Sequence, residues 1–187
     1  MATPPDFSVG QVLTAAHMNA VGLWKISETS FTSVTSISLP ASTFSSTYRN
    51  YRLIYNVTVS ADSDFTFRLR KSGTDNQAAT YNTMLTGITS GGVASNSTGD
   101  SQTSWAFGEQ DAGLEGYTAT LDLYQPNLNT RTWAIGGLVM VNKAATATIG
   151  RSGSWWQNTA DTFDSATLIS SAASSMTGVV RVYGYRN

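Results

Sequence analysis

His17 is the only histidine of the chain, and cysteine is absent. Those two residue types supply most nucleophile activation and proton transfer near neutral pH. A Ser–His–Asp arrangement would need the His17 imidazole beside a nucleophile in a formed cleft, and His17 lies in a leading segment poorly suited to building one. The same scarcity removes histidine and thiolate metal sites, disulfides and thiol catalysis. Carboxylates remain. Asp62 and Asp64 flank one expected turn, and Asp161 and Asp164 another. Either pair could offer oxygen ligands to Ca²⁺. Across a groove, Asp161 and Asp164 could serve as the two carboxyls of a glycan hydrolase. Aspartate also closes turns by bonding to nearby backbone, and that is the reading expected here. No catalytic residue, cofactor or metal is therefore assigned. The Asn-X-Thr triplets at Asn56 and Asn96 match a glycosylation acceptor. In a chain that is about a quarter Ser and Thr, chance accounts for them.

The tandem Trp155–Trp156, followed by Asn158 and Asp161, is a stronger candidate. Neighbours on a strand point to opposite faces, so one indole is expected in the core and the other at the surface. An exposed indole beside amides and a carboxylate suits a glycan or a protein partner. Core packing or a subunit contact is the plainer alternative for these four residues.

Strands must position them. Residues 51–60 alternate over ten positions, with Tyr51, Leu53, Tyr55, Val57 and Val59 on one face. Residues 65–70 repeat the pattern through Phe65, Phe67 and Leu69. Residues 117–123 do so through Tyr117, Ala119, Leu121 and Leu123. The stretch 131–142 is apolar on both faces and reads as a central strand with a glycine bulge. Further strands are expected over 31–39, 77–88, 103–108, 145–156, 166–171 and 178–186, with a long polar loop over 89–102. The fold class is all-β, an antiparallel β-sandwich of jelly-roll type with about eight to ten strands. Residues 28–187 form that domain. Residues 1–27 form an N-terminal arm, extended at Pro4 and Pro5 and then helical over 15–24. Phe7, Val9, Val12, Leu13, Met18 and Trp24 give the arm an apolar contact surface. It either packs back on its own domain or docks on a partner.

Composition narrows the function. Of the 187 residues, 41% are hydrophobic, enough for a core, while 12% are charged, about half the usual share. The net charge is −1, without a basic block, which argues against nucleic acid. No apolar run is long enough to span a membrane as a helix, and the N-terminus lacks the pattern of a secretory signal.

Three stretches resemble a known group. "FSVGQVLTAAHMNAV" carries G-x-V-L-T-A-x-x-M-N from Gly10 to Asn19, and resembles the N-terminal segment of tailed-bacteriophage structural proteins. Residues Tyr48 to Tyr81 resemble the β-sandwich of phage tail-fibre, minor tail and head-decoration proteins. "GVVRVYGYRN" resembles the last strand of the same group. The resemblance implies a non-enzymatic virion protein on the particle exterior, made in the host cytoplasm, often a homotrimer, and offers no catalytic residues. The function expected is a capsid decoration or cement protein, docked on a major capsid or tail protein through its arm. The alternative is a tail-fibre or receptor-binding adhesin that recognises host surface glycan.

Overall fold

The structure is a computed structural model that describes residues 22–110, 112, 116–141, 147–171 and 174–185. These residues form β1 (Leu23–Val34), β2 (Ser36–Ser38), β3 (Asn50–Val59), β4 (Ser63–Lys71), β5 (Thr74–Asp75), β6 (Tyr81–Thr89) and β7 (Ser97–Gln102). They continue with β8 (Trp105–Gln110), β9 (Tyr117–Tyr124), β10 (Trp133–Val141), β11 (Thr148–Gln157), β12 (Ser165–Ser170) and β13 (Met176–Tyr185). The protein is all-β, and every strand pairing is antiparallel. An eight-stranded sheet runs in the order β1-β13-β3-β9-β10-β11-β6-β7. A five-stranded sheet runs β2-β12-β4-β5, with β8 also paired to β4.

The alternation seen in the sequence is the alternation of the fold. Tyr51, Leu53, Tyr55, Val57 and Val59 of β3 are all buried, as are Phe65, Phe67 and Leu69 of β4 and Tyr117, Leu121 and Leu123 of β9. The two sheets meet through these residues. Tyr55 of β3 lies 6.4 Å from Phe67 of β4, and Phe107 of β8 lies 5.7 Å from Trp155 of β11, centroid to centroid. Buried aromatics carry polar tips that need partners. Here the partners lie across the sandwich-like layer. The Trp105 indole of β8 donates to the Trp156 carbonyl of β11 (3.0 Å), and the Trp155 indole of β11 donates to the Ala106 carbonyl of β8 (2.8 Å). The Tyr81 hydroxyl of β6 accepts from the Leu69 amide of β4 (3.1 Å) and donates to the Asn76 carbonyl (3.0 Å). The Tyr117 hydroxyl donates to the Phe107 carbonyl. Burial pushes the Tyr55, Tyr81 and Tyr117 hydroxyls well above the ordinary tyrosine range.

Several expectations change. Of the segment expected to be helical, only Gly22, Leu23 and Trp24 are described, and Leu23 and Trp24 are strand. β1 begins at Leu23, so residues 23–27, assigned by sequence to the arm, pair with β13 as part of the sheet. That pairing gives their backbone groups ladder partners, which a short isolated helix could not match. The strand expected over 31–39 is two strands. Ser33, at φ 53°, lies in the register shift between Phe31 and Val34 near the end of β1, and the chain crosses at Thr35 from the edge of one sheet to the edge of the other. The polar loop expected over 89–102 contains β7, an edge strand whose solvent-facing residues leave no apolar alternation to read. β10 is central, as expected, but its register with β9 and β11 runs without a bulge. Gly136 answers to a close approach instead, because a Cβ there would strike the Thr120 carbonyl oxygen.

Candidate functional site

The eight-stranded sheet turns one face to the core and the other outward. Strand register decides which side chains meet there. One row across the strands reads Tyr185, Asn50, Tyr124, Trp133, Trp156 and Asn82. Trp133 and Trp156 lie 6.2 Å apart with ring planes 25° from parallel. Trp133 is 49% exposed.

The next row holds a polar cluster. The Arg52 guanidinium grips Asp122 in a two-point bond, Nε to Oδ1 at 2.7 Å and Nη2 to Oδ2 at 2.6 Å. The Tyr185 hydroxyl donates to the same carboxylate at 2.6 Å, and its ring sits 5.7 Å from the Arg52 Cζ. Burial works to raise the Asp122 pKa, but the bonds from Arg52 and Tyr185 overcome it and hold the carboxyl below its ordinary value. Burial, and then the bond to Asp122, push the Tyr185 hydroxyl up to about 12. The cluster has the geometry of a structural clamp between β3, β9 and β13.

The outward face divides in two. β1, β13, β3 and β9 present Lys25, Glu28, Arg181, Arg52 and Asp122. Glu28 bonds to both Arg181 (3.1 Å) and Lys25 (3.4 Å). β10, β11 and β6 present no charge at all. Their single charged residue, Arg151, points inward, to Ser95 Oγ (2.6 Å) and toward Glu109 (3.8 Å). In place of charge, the outward positions carry Trp133, Ile135, Val139, Met84 and Ile88, each between 48% and 57% exposed. Depletion of charge with enrichment in aromatics and Met is the composition of an interaction surface.

The sequence-derived candidates scatter. Trp155 is not a surface residue. At 1% exposed it fills the core, because it is the inward member of the tandem. Trp156 is the outward, half-buried member and sits in the aromatic row. Asn158 is exposed in the loop after β11, where its carbonyl accepts from Arg131 Nε (3.1 Å). Asp161 bridges to Thr130, and its carboxylate bonds to Lys71 (2.5 Å) and to the Thr162 amide (2.8 Å). Burial opposes these bonds, which nonetheless lower its pKa. Asp164 accepts from the Ser72 amide and the Ser165 hydroxyl, and Asp62 from the Ala112 amide. Among the described residues no three carboxylate or His side chains gather as a metal site. The arm candidates Phe7, Val9, Val12, Leu13 and Met18, and also His17, lie outside the described residues. Trp24 sits in β1, opposite Gly184, with its indole nitrogen buried and unbonded.

Trp133, Tyr124, Tyr185, Ile135, Val139 and Met84 were not singled out from the sequence. One signal was present: β10 is apolar on both faces, which in an antiparallel sheet means either a second buried side or an exposed apolar one. No protein-family model matches the chain, and no curated protein or solved structure matches it.

Proposed function

We propose that this chain is a non-enzymatic structural protein of a tailed-bacteriophage particle. It acts as a capsid decoration, cement or similar exterior accessory, with a jelly-roll-like body docked on a major capsid or tail protein by the segment preceding β1. One observation carries the reading. The stretch Gly10–Asn19, which resembles the leading segment of phage structural proteins, runs into the body at Leu23, the exposed first residue of an edge strand. A peptide attached at such an edge reaches a neighbouring surface without disturbing the core. Repetition of the contact over a particle multiplies its strength by avidity. Carboxylates that a hydrolase would employ are engaged instead in turns and ion pairs. Whether the Trp133–Trp156 pair stays open on the particle separates this reading from the glycan-binding adhesin.

The test compares the full chain with a Leu13→Asp/Met18→Asp variant in particle assembly. The variant should keep the circular dichroism spectrum and melting temperature of the parent, yet disappear from particles purified on a density gradient. Normal incorporation of the variant would rule the anchor out, and absence of the parent from particles would rule out the virion assignment.

A further inference from the structure

From the outward face of β9, β10, β11 and β6 we infer that two copies of this chain pack there, sheet on sheet, about a two-fold axis parallel to the strands between β10 and β11. The relief of the face carries the argument. β10 is a ridge, bearing Trp133, Ile135 and Val139. β11 beside it is a trough, whose outward positions between its ends are Gly150, Ser152 and Ser154. A shallow cavity of about 110 Å³ at Met84, Thr86, Ser152 and Ser154 marks one stretch of the trough.

A two-fold axis along the boundary lays the ridge of each copy over the trough of the other. Rows keep their level under that rotation, so register partners within one copy also become neighbours across the axis. Ile135 faces Ser154 of the second copy, and Val139 faces its Gly150. In these two rows a large side chain meets a small one, while Trp133 meets Trp156 of the second copy at the end of the field; each contact occurs twice, as an isologous interface requires. Sheets pack about 10 Å apart and about 30° from aligned, so contact centres on these two rows.

The absence of charge on β10, β11 and β6 selects the same occupant. The one carboxylate of the field, Asp122 on β9, is already held by Arg52, so a charged partner finds no free charge to pair with, whereas an identical face desolvates at little cost. The four-strand field measures roughly 19 Å by 30 Å, about 570 Å² in projection. A stable complex buries about 800 Å² of accessible surface per partner. Corrugation by half-exposed Trp, Ile, Val and Met side chains brings the field toward that size. Dissociation in the micromolar range is expected.

Sedimentation equilibrium of the full chain, from low to high micromolar concentration, tests the inference. The expected species has twice the 19.9 kDa chain mass. Val139→Lys would bury a charge at the centre and should raise the dissociation constant at least about tenfold. Gly150→Val is the second variant. A Cβ there meets nothing within 4 Å, and a β-branched residue suits a strand. Its monomer should keep the parental melting temperature while its trough no longer admits Val139. A mass of one chain at every concentration would overturn the inference, as would a trimer or a dimer that survives both substitutions. A monomer whose tryptophan fluorescence responds to dextran would replace the second copy with a neutral glycan.

Discussion

Trp155 and Trp156 are adjacent, yet their truncation should have very different consequences. Trp155 is 1% exposed, packs 5.7 Å from Phe107, and donates its indole hydrogen to the Ala106 carbonyl at 2.8 Å. Large-to-small changes of buried Trp cost about 3–5 kcal/mol. The Ala106 carbonyl, left without its donor, adds about 1 kcal/mol. The sum, about 4–6 kcal/mol, is a large part of the ~5–15 kcal/mol that holds a domain together. Trp156→Ala removes a half-buried ring whose main partner is Trp133. That costs about 1 kcal/mol, the range of an aromatic pair. The backbone carbonyl of residue 156, which Trp105 uses, stays in place. For a chain of this size, about 2–4 °C of melting temperature follows each kcal/mol. Trp155→Ala should therefore lose roughly 10–20 °C and Trp156→Ala roughly 2–4 °C. Far-UV circular dichroism melts at high dilution, where association does not contribute, measure both. Should Trp155→Ala fail to fold, Trp155→Phe keeps a ring, loses the donor, and is expected to cost about 2 kcal/mol. Equal losses at the two positions, or a larger one at 156, would refute the assignment of inward and outward faces.

Four further substitutions test the clamp and the glycine positions. Because the Asp122 pKa is depressed in the folded state, its pairing with Arg52 stabilises above the unfolded value near about pH 4 and is lost as pH falls through the folded value. Asp122→Asn should flatten that acid limb in urea titrations by about 1 kcal/mol, discounted because Arg52 is 37% exposed. Tyr185 has the opposite sign: its contribution is present below about pH 10 and lost as pH rises toward 12, so Tyr185→Phe should remove that alkaline loss. An unchanged acid limb in the Asp122 variant would show that the clamp does not form. Gly136→Ala should destabilise by several kcal/mol, about 3 or more, since its Cβ meets the Thr120 backbone. Gly150→Ala should be neutral, and thermal melts of the pair decide the matter.

The parts of the fold legible in the sequence are those where one face is wet and the other dry. β3, β4 and β9 write their burial directly as period-two alternation, so Tyr51, Phe67 and Leu121 could be placed in the core without coordinates. β7 could not be read, since Ser97–Gln102 is an edge strand in which neither face carries an apolar series. The irregularity at Ser33, just before the chain leaves β1, was hidden too, because a left-handed serine leaves no mark in the pattern of polar and apolar residues. The candidate site suffers from a different loss. Trp156 was visible because it is next to Trp155, but its real neighbour is Trp133, twenty-three residues earlier in the sequence. The row from Tyr185 to Asn82 draws on six strands whose order is far from sequential, and only the pairing register assembles it. Charge depletion on β10, β11 and β6 is likewise a property of one face, diluted in the linear sequence by the inward Arg151.

Leu23 and Tyr185, the first residue of β1 and the last of β13, are register partners on neighbouring strands. Entry to the body and exit from it therefore share one pole, about 5 Å apart. The turn between β6 and β7, with Val93 65% exposed, lies at the opposite pole. A circular permutant joined by a few residues across the first pole and reopened at Val93 would keep every rung of both sheets. A peptide grafted into that turn would stand away from whatever holds the chain by its ends, which makes this body a ready handle for display.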